Sequence, residues 1–460
     1  MDIYQDTTGT LLMKMKKGSS RDIDSISEAM DELREKQLEE GIFSFDGFTS
    51  EGSNAFVGVS TSLDDEVKEC TVWSINHYLN LNRHPYVIEK AVEATRKFGT
   101  GCGTSAISGG MNTLHKNIEQ RLSNWYNKDI MLFPTGFTAN MGSLAALCQE
   151  GDHVLIDSES HASIRDGVKL SPVRRWISFD HNSLQDLEAK LEVSQKECEG
   201  KIVVIVESAY SMSGDICPLV EIAALKEKYD FLLFVDEAHS FGLYGESGKG
   251  LCHQMGVVDK VDFITSTFSK ATASIGGFVA CERKYLSYFQ WGSNAFAFQA
   301  CFTPADAGTI LAALDVLERE PELMAELHKK NSYMRDKLTE AGFDLGSSES
   351  PVIPVYIPDT EKLMKVSFDL YKNNVFSVPI AYPMVGKEEG RIRFIVNRGH
   401  TYDHIDHTVG VLRKLADQYD LFTDQDEMRK KAIIGQTAVS GIKDALDAEL
   451  SKDAENSTPA

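Results

Sequence analysis

The sequence predicts an α/β protein, with a mostly parallel sheet in a large domain and a smaller α+β domain C-terminal to it. Three observations predict this. Short apolar runs at 130–133, 153–156, 202–206, 231–235, 263–266 and 277–280 recur through the middle of the chain, with amphipathic stretches such as 184–193 and 219–229 between some of them. Runs apolar on both faces and separated by helices belong to a sheet covered on both sides. After Pro304 the pattern changes to long helical spacing over 305–341, then to short strands near 352–356 and 391–396. Finally, 460 residues exceed one ordinary domain, which fits two unequal cores.

Each region follows from its pattern. Residues 1–55 read as an N-terminal arm, with charge runs, helical spacing over 23–40 and a Gly/Ser-rich stretch at 43–54. Residues 56–95 read as a segment packing on the small domain, 96–304 as the large domain and 305–423 as the small domain. Residues 424–460 carry helical spacing to about 450 and then a polar tail.

Composition narrows the function. Hydrophobic residues at 42% and charged residues at 25% are globular values. A formal net charge of -22, from 69 acidic against 47 basic residues, repels phosphate backbones and argues against a nucleic-acid partner. Any anionic ligand must then be held by local cations or oriented amides. Lys169, Arg174 and Arg175 form one basic cluster that offers such a contact. The eight cysteines are scattered without a C-x-x-C pair, which suits a reducing compartment. The first residues lack a signal-peptide pattern, and no stretch approaches the roughly 20 apolar residues of a membrane span. The expectation is a cytoplasmic protein.

Three segments carry chemistry: Val-Asp-Glu-Ala-His-Ser at 235–240, Ser-Thr-Phe-Ser-Lys at 266–270 and Ile-Gly-Gly at 275–277. They sit where apolar runs give way to polar residues, the place where a parallel sheet opens its ligand crevice. Together they suit pyridoxal 5'-phosphate (PLP). That cofactor needs an amine for a Schiff base, a carboxylate on its ring nitrogen, a phosphate cradle and a group over the ring face. Lys270 supplies the amine and Asp236 the carboxylate, while His239 reaches the phenolic oxygen. Thr267 and Ser269 flank the lysine with hydroxyls. The segment Thr135, Gly136 and Phe137 follows a strand and opens a helix, so its amides can bind the same phosphate. His161, after the run 153–156, is placed to stack on the ring. Asp-Glu-Ala-His also marks helicases, but their phosphate loop is missing, because the glycines and lysine at 245–250 have the wrong spacing. The Gly-rich stretch at 99–103 reads as a turn, and no metal-ligand spacing appears.

The order and spacing of these parts resemble the α-oxoamine synthases, a branch of the fold-type I PLP enzymes, over about residues 70–415. The resemblance runs through Asn76-His77-Tyr78-Leu79, His84-Pro85, Ile107-Ser108-Gly109, His115 and Glu119. It continues through Thr135 to Asn140, His161-Ala162-Ser163, Ser211 to Asp215, Asp236 to Gly250, Thr267 to Lys270, and Arg391-Ile392-Arg393 with His400. It implies the PLP-dependent transferase fold type I. It also implies that Ser211 joins His239 near the phenolic oxygen, that Arg393 grips an amino-acid carboxylate with Asn76 close by, and that Lys270 shuttles protons. The implied reaction is decarboxylative condensation of a small amino acid with an acyl thioester, either acyl-coenzyme A or acyl carrier protein. An aminotransferase or aldolase on the same fold is the alternative. Homodimers with shared active sites are implied as well. The chain departs from the family at Asn80, where a glycine is usual, and at 298–304, where a Ser/Thr-rich form is usual.

Overall fold

The computed structural model describes residues 22–39, 47–61 and 64–423. The helical spacing at 424–450 lies outside the described residues. Among the described residues, fourteen strands are, in order, β1 (Gly47–Thr49), β2 (Phe56–Thr61), β3 (Asp64–Val72), β4 (Asp129–Phe133), β5 (His153–Asp157), β6 (Arg175–Phe179), β7 (Ile202–Glu207), β8 (Leu232–Asp236), β9 (Phe263–Thr267), β10 (Gly277–Cys281), β11 (Val352–Tyr356), β12 (Val375–Phe376), β13 (Pro379–Ile380) and β14 (Arg391–Ile395).

Seven of them form the central sheet, in the order β4-β10-β9-β8-β7-β5-β6. The inner strands are apolar on both faces because helices cover both. Every residue of β5, β7, β9 and β10 is buried. The run from β9 to β6 is parallel, and only β10 is antiparallel to its two neighbours. That reversal brings the start of β10 to the same edge as the ends of β4 and β9, with Gly277 opposite both Phe133 and Thr267. Asp157, Glu207, Asp236 and Thr267 close their strands along this one edge.

Gly277 is there because nothing larger fits. A Cβ on it would lie 2.6 Å from the Cα of Gly136. Gly277→Ala is therefore expected to lower unfolding free energy by about 1–3 kcal/mol in a urea titration. An unchanged midpoint would mean that the 134–137 loop retreats freely.

The C-terminal part carries a small antiparallel sheet, β11-β14-β13. A further sheet, β1-β2-β3-β12, joins the segment before the large sheet to the C-terminal part through parallel pairing of β3 with β12. Trp73, just after β3, is buried against this C-terminal part. Its indole N–H donates to Thr408 at 3.0 Å, and its ring stacks on His400 at 3.8 Å. The helix Ile23–Glu39 forms where helical spacing predicts it. Residues 47–49, read from sequence as part of an arm, instead pair with β2. Asn80 takes a left-handed backbone with φ 56°, the conformation that glycine adopts most readily and asparagine tolerates. No helix among the described residues is long and apolar enough to cross a membrane.

Candidate active site

Lys270 follows β9 in a tight turn closed by Ser274 N–H to the Phe268 carbonyl and Ala273 N–H to the Lys270 carbonyl. Its Nζ lies 2.6 Å from His239 Nε2, and His239 Nδ1 lies 2.7 Å from the Tyr78 hydroxyl. Burial pulls the Lys270 amine down to about 8. Asp236 and Glu207 oppose that shift and Arg393 adds to it. Burial, with Lys270, Arg393 and His161 nearby, holds His239 well below its ordinary value. A neutral His239 that accepts from Lys270 at Nε2 carries its proton on Nδ1 and donates to Tyr78. The amine is thus oriented by a fixed tautomer.

Asp236 sits at the end of β8, held on both carboxyl oxygens. The Asn140 amide donates to Oδ2 at 2.6 Å and the Ala238 N–H to Oδ1 at 2.8 Å. Asn140 is itself fixed, since its carbonyl accepts from the Thr265 hydroxyl at 2.6 Å and its amide also donates to Ser163 at 3.0 Å. Ser163 connects onward to His161 Nδ1 at 2.8 Å. The His161 N–H donates to the Glu207 carboxyl at 2.5 Å. Glu207 faces Asp236 across the β7–β8 pair, and burial together with that neighbour raises its carboxyl well above the ordinary range. Burial lowers the His161 imidazole.

The third part is a cradle of donors. Thr135 caps the helix Gly136–Leu147 through reciprocal bonds with Thr138, which leaves the Gly136 and Phe137 amides without intrahelical acceptors. Thr267 meets Ser269 hydroxyl to hydroxyl at 2.8 Å. A Cβ on Gly136 would lie 2.4 Å from the Thr267 Cβ, so the helix terminus and this pair are pressed together. Amides, hydroxyls and the helix dipole make a seat for a phosphate. An amine of lowered pKa, a carboxyl held by an amide and this cradle all line one sheet edge, so the residues fit PLP.

Arg393, on β14 of the small sheet, points a guanidinium toward the same place. It donates to the Ser211 carbonyl at 2.8 Å and to the Met212 sulfur at 3.7 Å. It makes no ion pair to a carboxylate among the described residues, and burial weakens its hold on its proton. A buried cation in that state is a seat for an incoming anion. The Asn76 side-chain oxygen is buried with no hydrogen-bond partner, a second polar group left open. A cleft of about 420 Å³ adjoins, lined by Ser160, Met212 and Met384 among others.

The structure therefore brings Lys270, His239, Asp236, His161, Thr135, Gly136, Thr267 and Ser269 to one edge. Phe137 adds its ring, edge-on to His161 at 6.2 Å. Ser211 enters through its carbonyl. Three residues of the site escaped the sequence reading of roles: Glu207, Asn140 and Tyr78. Glu207 had a signal, since it ends the apolar run 202–206 with a charge. The basic cluster lies on the exposed surface, where each cation has an acidic neighbour. Lys169 pairs with Asp166 at 3.7 Å, Arg174 with Glu150 at 2.5 Å and Arg175 with Glu197 at 2.5 Å, so its charge is balanced locally. Arg175 opens β6 at the end of the sheet order, where charged residues blunt an exposed edge. Thr303 caps the helix Pro304–Arg319 and donates to Asp306 at 2.5 Å, which engages its hydroxyl locally.

Fold and site together define a PLP-dependent enzyme of fold type I. The family described as aminotransferase class I and II matches residues 68–412. A serine palmitoyltransferase of Sphingobacterium spiritivorum is 38% identical over 371 residues, covering 80% of this chain and 92% of that one. An 8-amino-7-oxononanoate synthase of Alkaliphilus metalliredigens is 34% identical over 349 residues, covering 76% and 88%. Among solved structures, a serine palmitoyltransferase from S. paucimobilis with bound PLP and myriocin matches with TM-score 0.81 and 26% identity, covering 87% of this chain and 100% of that one. The chain belongs to the aminotransferase class I and II family and, within it, to the α-oxoamine synthases.

The lowered amine has a measurable consequence. The neutral fraction of Lys270 grows as pH rises through its pKa, so PLP uptake by the apo chain should rise with a midpoint near 8 and level off above it. Stopped-flow absorbance across pH 6–10 (about the useful range for His and Lys titration) reads this directly. An uptake still climbing steeply at about pH 10, as an amine at the ordinary lysine value of 10.5 would give, would show that the amine is not lowered.

Proposed function

We propose that this enzyme condenses a small amino acid with an acyl thioester, releasing carbon dioxide, free thiol and an α-aminoketone, with Lys270 as the proton-transferring base. One observation carries the reading: a lysine amine lowered to about 8 touches a neutral histidine at a strand edge shared with a clamped aspartate. A base works best with a pKa near the operating pH. PLP, when bound, supplies an electron-withdrawing ring that stabilises negative charge at the substrate α-carbon.

The chain's own residues do the rest. The Gly136 and Phe137 amides with Thr135, Thr267 and Ser269 would hold the phosphate. Asp236, kept in place by Asn140 and Ala238, would present its carboxylate to the ring nitrogen. His161 would cover the ring face, held by Glu207 through its backbone N–H and by Ser163 through its imidazole. Arg393, with Asn76 beside the same group, grips the substrate carboxylate, which orients the α-proton toward the Lys270 amine. His239 and Ser211 would stand on the phenolic-oxygen side. His239, fixed by Tyr78, keeps Lys270 aimed.

Serine and a long-chain acyl thioester are the first pair to test, because the three first relatives all carry the name serine palmitoyltransferase. Two copies with shared active sites fit the apolar groups left on the surface, with Trp291 84% and Phe298 81% exposed. An acyl carrier protein is the alternative donor to coenzyme A. All eight cysteines are free, which suits the cytoplasm.

The test combines two readouts on the PLP-loaded protein. Serine should exchange its α-proton with deuterated water, and carbon dioxide and thiol should appear only when an acyl thioester is added. Amino-group transfer to an oxo acid with no thioester present would overturn the reading in favour of an aminotransferase.

A further inference from the structure

Behind the site lies a charged cluster that the proposed chemistry does not use. His181, in the loop after β6, is clamped between two carboxylates. Its Nδ1 lies 2.8 Å from Asp157 Oδ1 and its Nε2 2.7 Å from Asp215 Oδ2. A ring nitrogen that faces a carboxylate donates to it, so both nitrogens carry protons and the ring is an imidazolium. The surroundings agree. Asp157 is wholly buried, Glu159 stands 4.0 Å from Nε2, and the Tyr210 ring meets the imidazole edge-on at 4.4 Å. Burial works against the charge, yet the two aspartates raise His181 to about 10.

Asn182 repeats the bridge one residue on. Its N–H donates to Asp157 Oδ2 at 2.9 Å and its amide to Asp215 Oδ2 at 2.8 Å. Asp157 also accepts the Glu159 N–H at 2.8 Å, and that segment continues directly into Ser160 and His161. Asp215 ends a tight turn, closed by Gly214 N–H to the Tyr210 carbonyl at 2.9 Å and by Tyr210 N–H to the Asp215 carbonyl at 3.1 Å. Ser213 further fixes Asp215 through its hydroxyl. At the crown of this turn are the Ser211 carbonyl, which accepts from Arg393, and the Met212 carbonyl, which accepts from Arg391 at 3.3 Å.

We infer that His181 is a positioning residue for the reaction: its bridge from Asp157 to Asp215 fixes the 210–215 turn, and through the Ser211 carbonyl it sets where the Arg393 guanidinium meets the amino-acid carboxylate. The inference rests on the assignment of Arg393 as the carboxylate grip. His181 touches neither substrate nor cofactor. Its effect travels along one loop to one hydrogen bond, so it acts on amino-acid binding and leaves the acyl donor alone.

The experiment is a double-mutant cycle on the PLP-loaded enzyme, with KM measured for the amino acid and for the acyl donor. His181→Gln should raise amino-acid KM about tenfold, the scale of one misplaced charge-assisted hydrogen bond, with PLP content and donor KM unchanged. Arg393→Ala should raise amino-acid KM by at least as much. In the Arg393→Ala background His181→Gln should add nothing, because the group it positions is gone. Additive effects, or a fall in PLP content or donor affinity alongside amino-acid KM, would mark a merely structural role and overturn the inference. An Arg393→Ala variant with unchanged amino-acid KM would instead overturn the carboxylate assignment, and the inference with it. If His181→Gln does not fold, the isosteric Asp215→Asn carries the same cycle with the same outcomes.

Discussion

Lys270→Ala should cut turnover by about 10⁴-fold, the upper end of what one positioned proton-transferring side chain contributes. No other group replaces it. Its contact, His239, is held neutral well below its ordinary pKa and commits Nδ1 to Tyr78. Borohydride should fix PLP to the wild-type chain at residue 270 and fail to do so in the variant. The cradle around Gly136, Thr267 and Ser269 remains intact, so the variant should still retain PLP without a covalent link. A variant that keeps turnover within tenfold would remove Lys270 from the chemistry.

Asp236→Asn should lower turnover by about 10²–10³-fold, the size of effect seen when one preorganised electrostatic partner is lost. The substitution keeps the shape and removes the charge. It also places an amide where Asn140 Nδ2 now donates at 2.6 Å, so one of two facing groups must turn away. Asn140 cannot turn without breaking its bond from Thr265. A stability loss of about 1–3 kcal/mol should accompany the slower rate. PLP content should stay near wild type while its absorbance shifts with the altered charge of the ring nitrogen. Unchanged absorbance and rate together would place Asp236 away from the ring.

Much of this site is legible in the sequence because a parallel sheet writes its chemistry at strand ends. Asp236 and Thr267 each follow an apolar run directly, and Lys270 and His161 follow one by a few residues. What the sequence hides is partnership across the sheet. Asn140 lies 96 residues from Asp236, and nothing local marks it as that carboxyl's clamp. Glu207 is visible as a charge ending a run, but its contact with the His161 N–H depends on β7 lying beside β5. The direction of β10 is hidden for the same reason, since an apolar run of five residues reads alike in either orientation. The pairing of β1 with β2 is hidden because residues 43–54 carry the glycine and serine content of a loop.

Arg393 lies on a strand of the three-stranded sheet, and Lys270 lies in the turn that follows β9 of the seven-stranded one. A substrate held through its carboxylate at Arg393 and through its amino group on PLP in the large sheet's crevice would tie the two sheets together. Ligands that lack either group would span nothing, so simple amines and simple carboxylic acids should bind without stiffening the small sheet against the large one. Hydrogen exchange near 375–395 would then sort ligands by whether they reach both anchors, independently of how tightly each one binds.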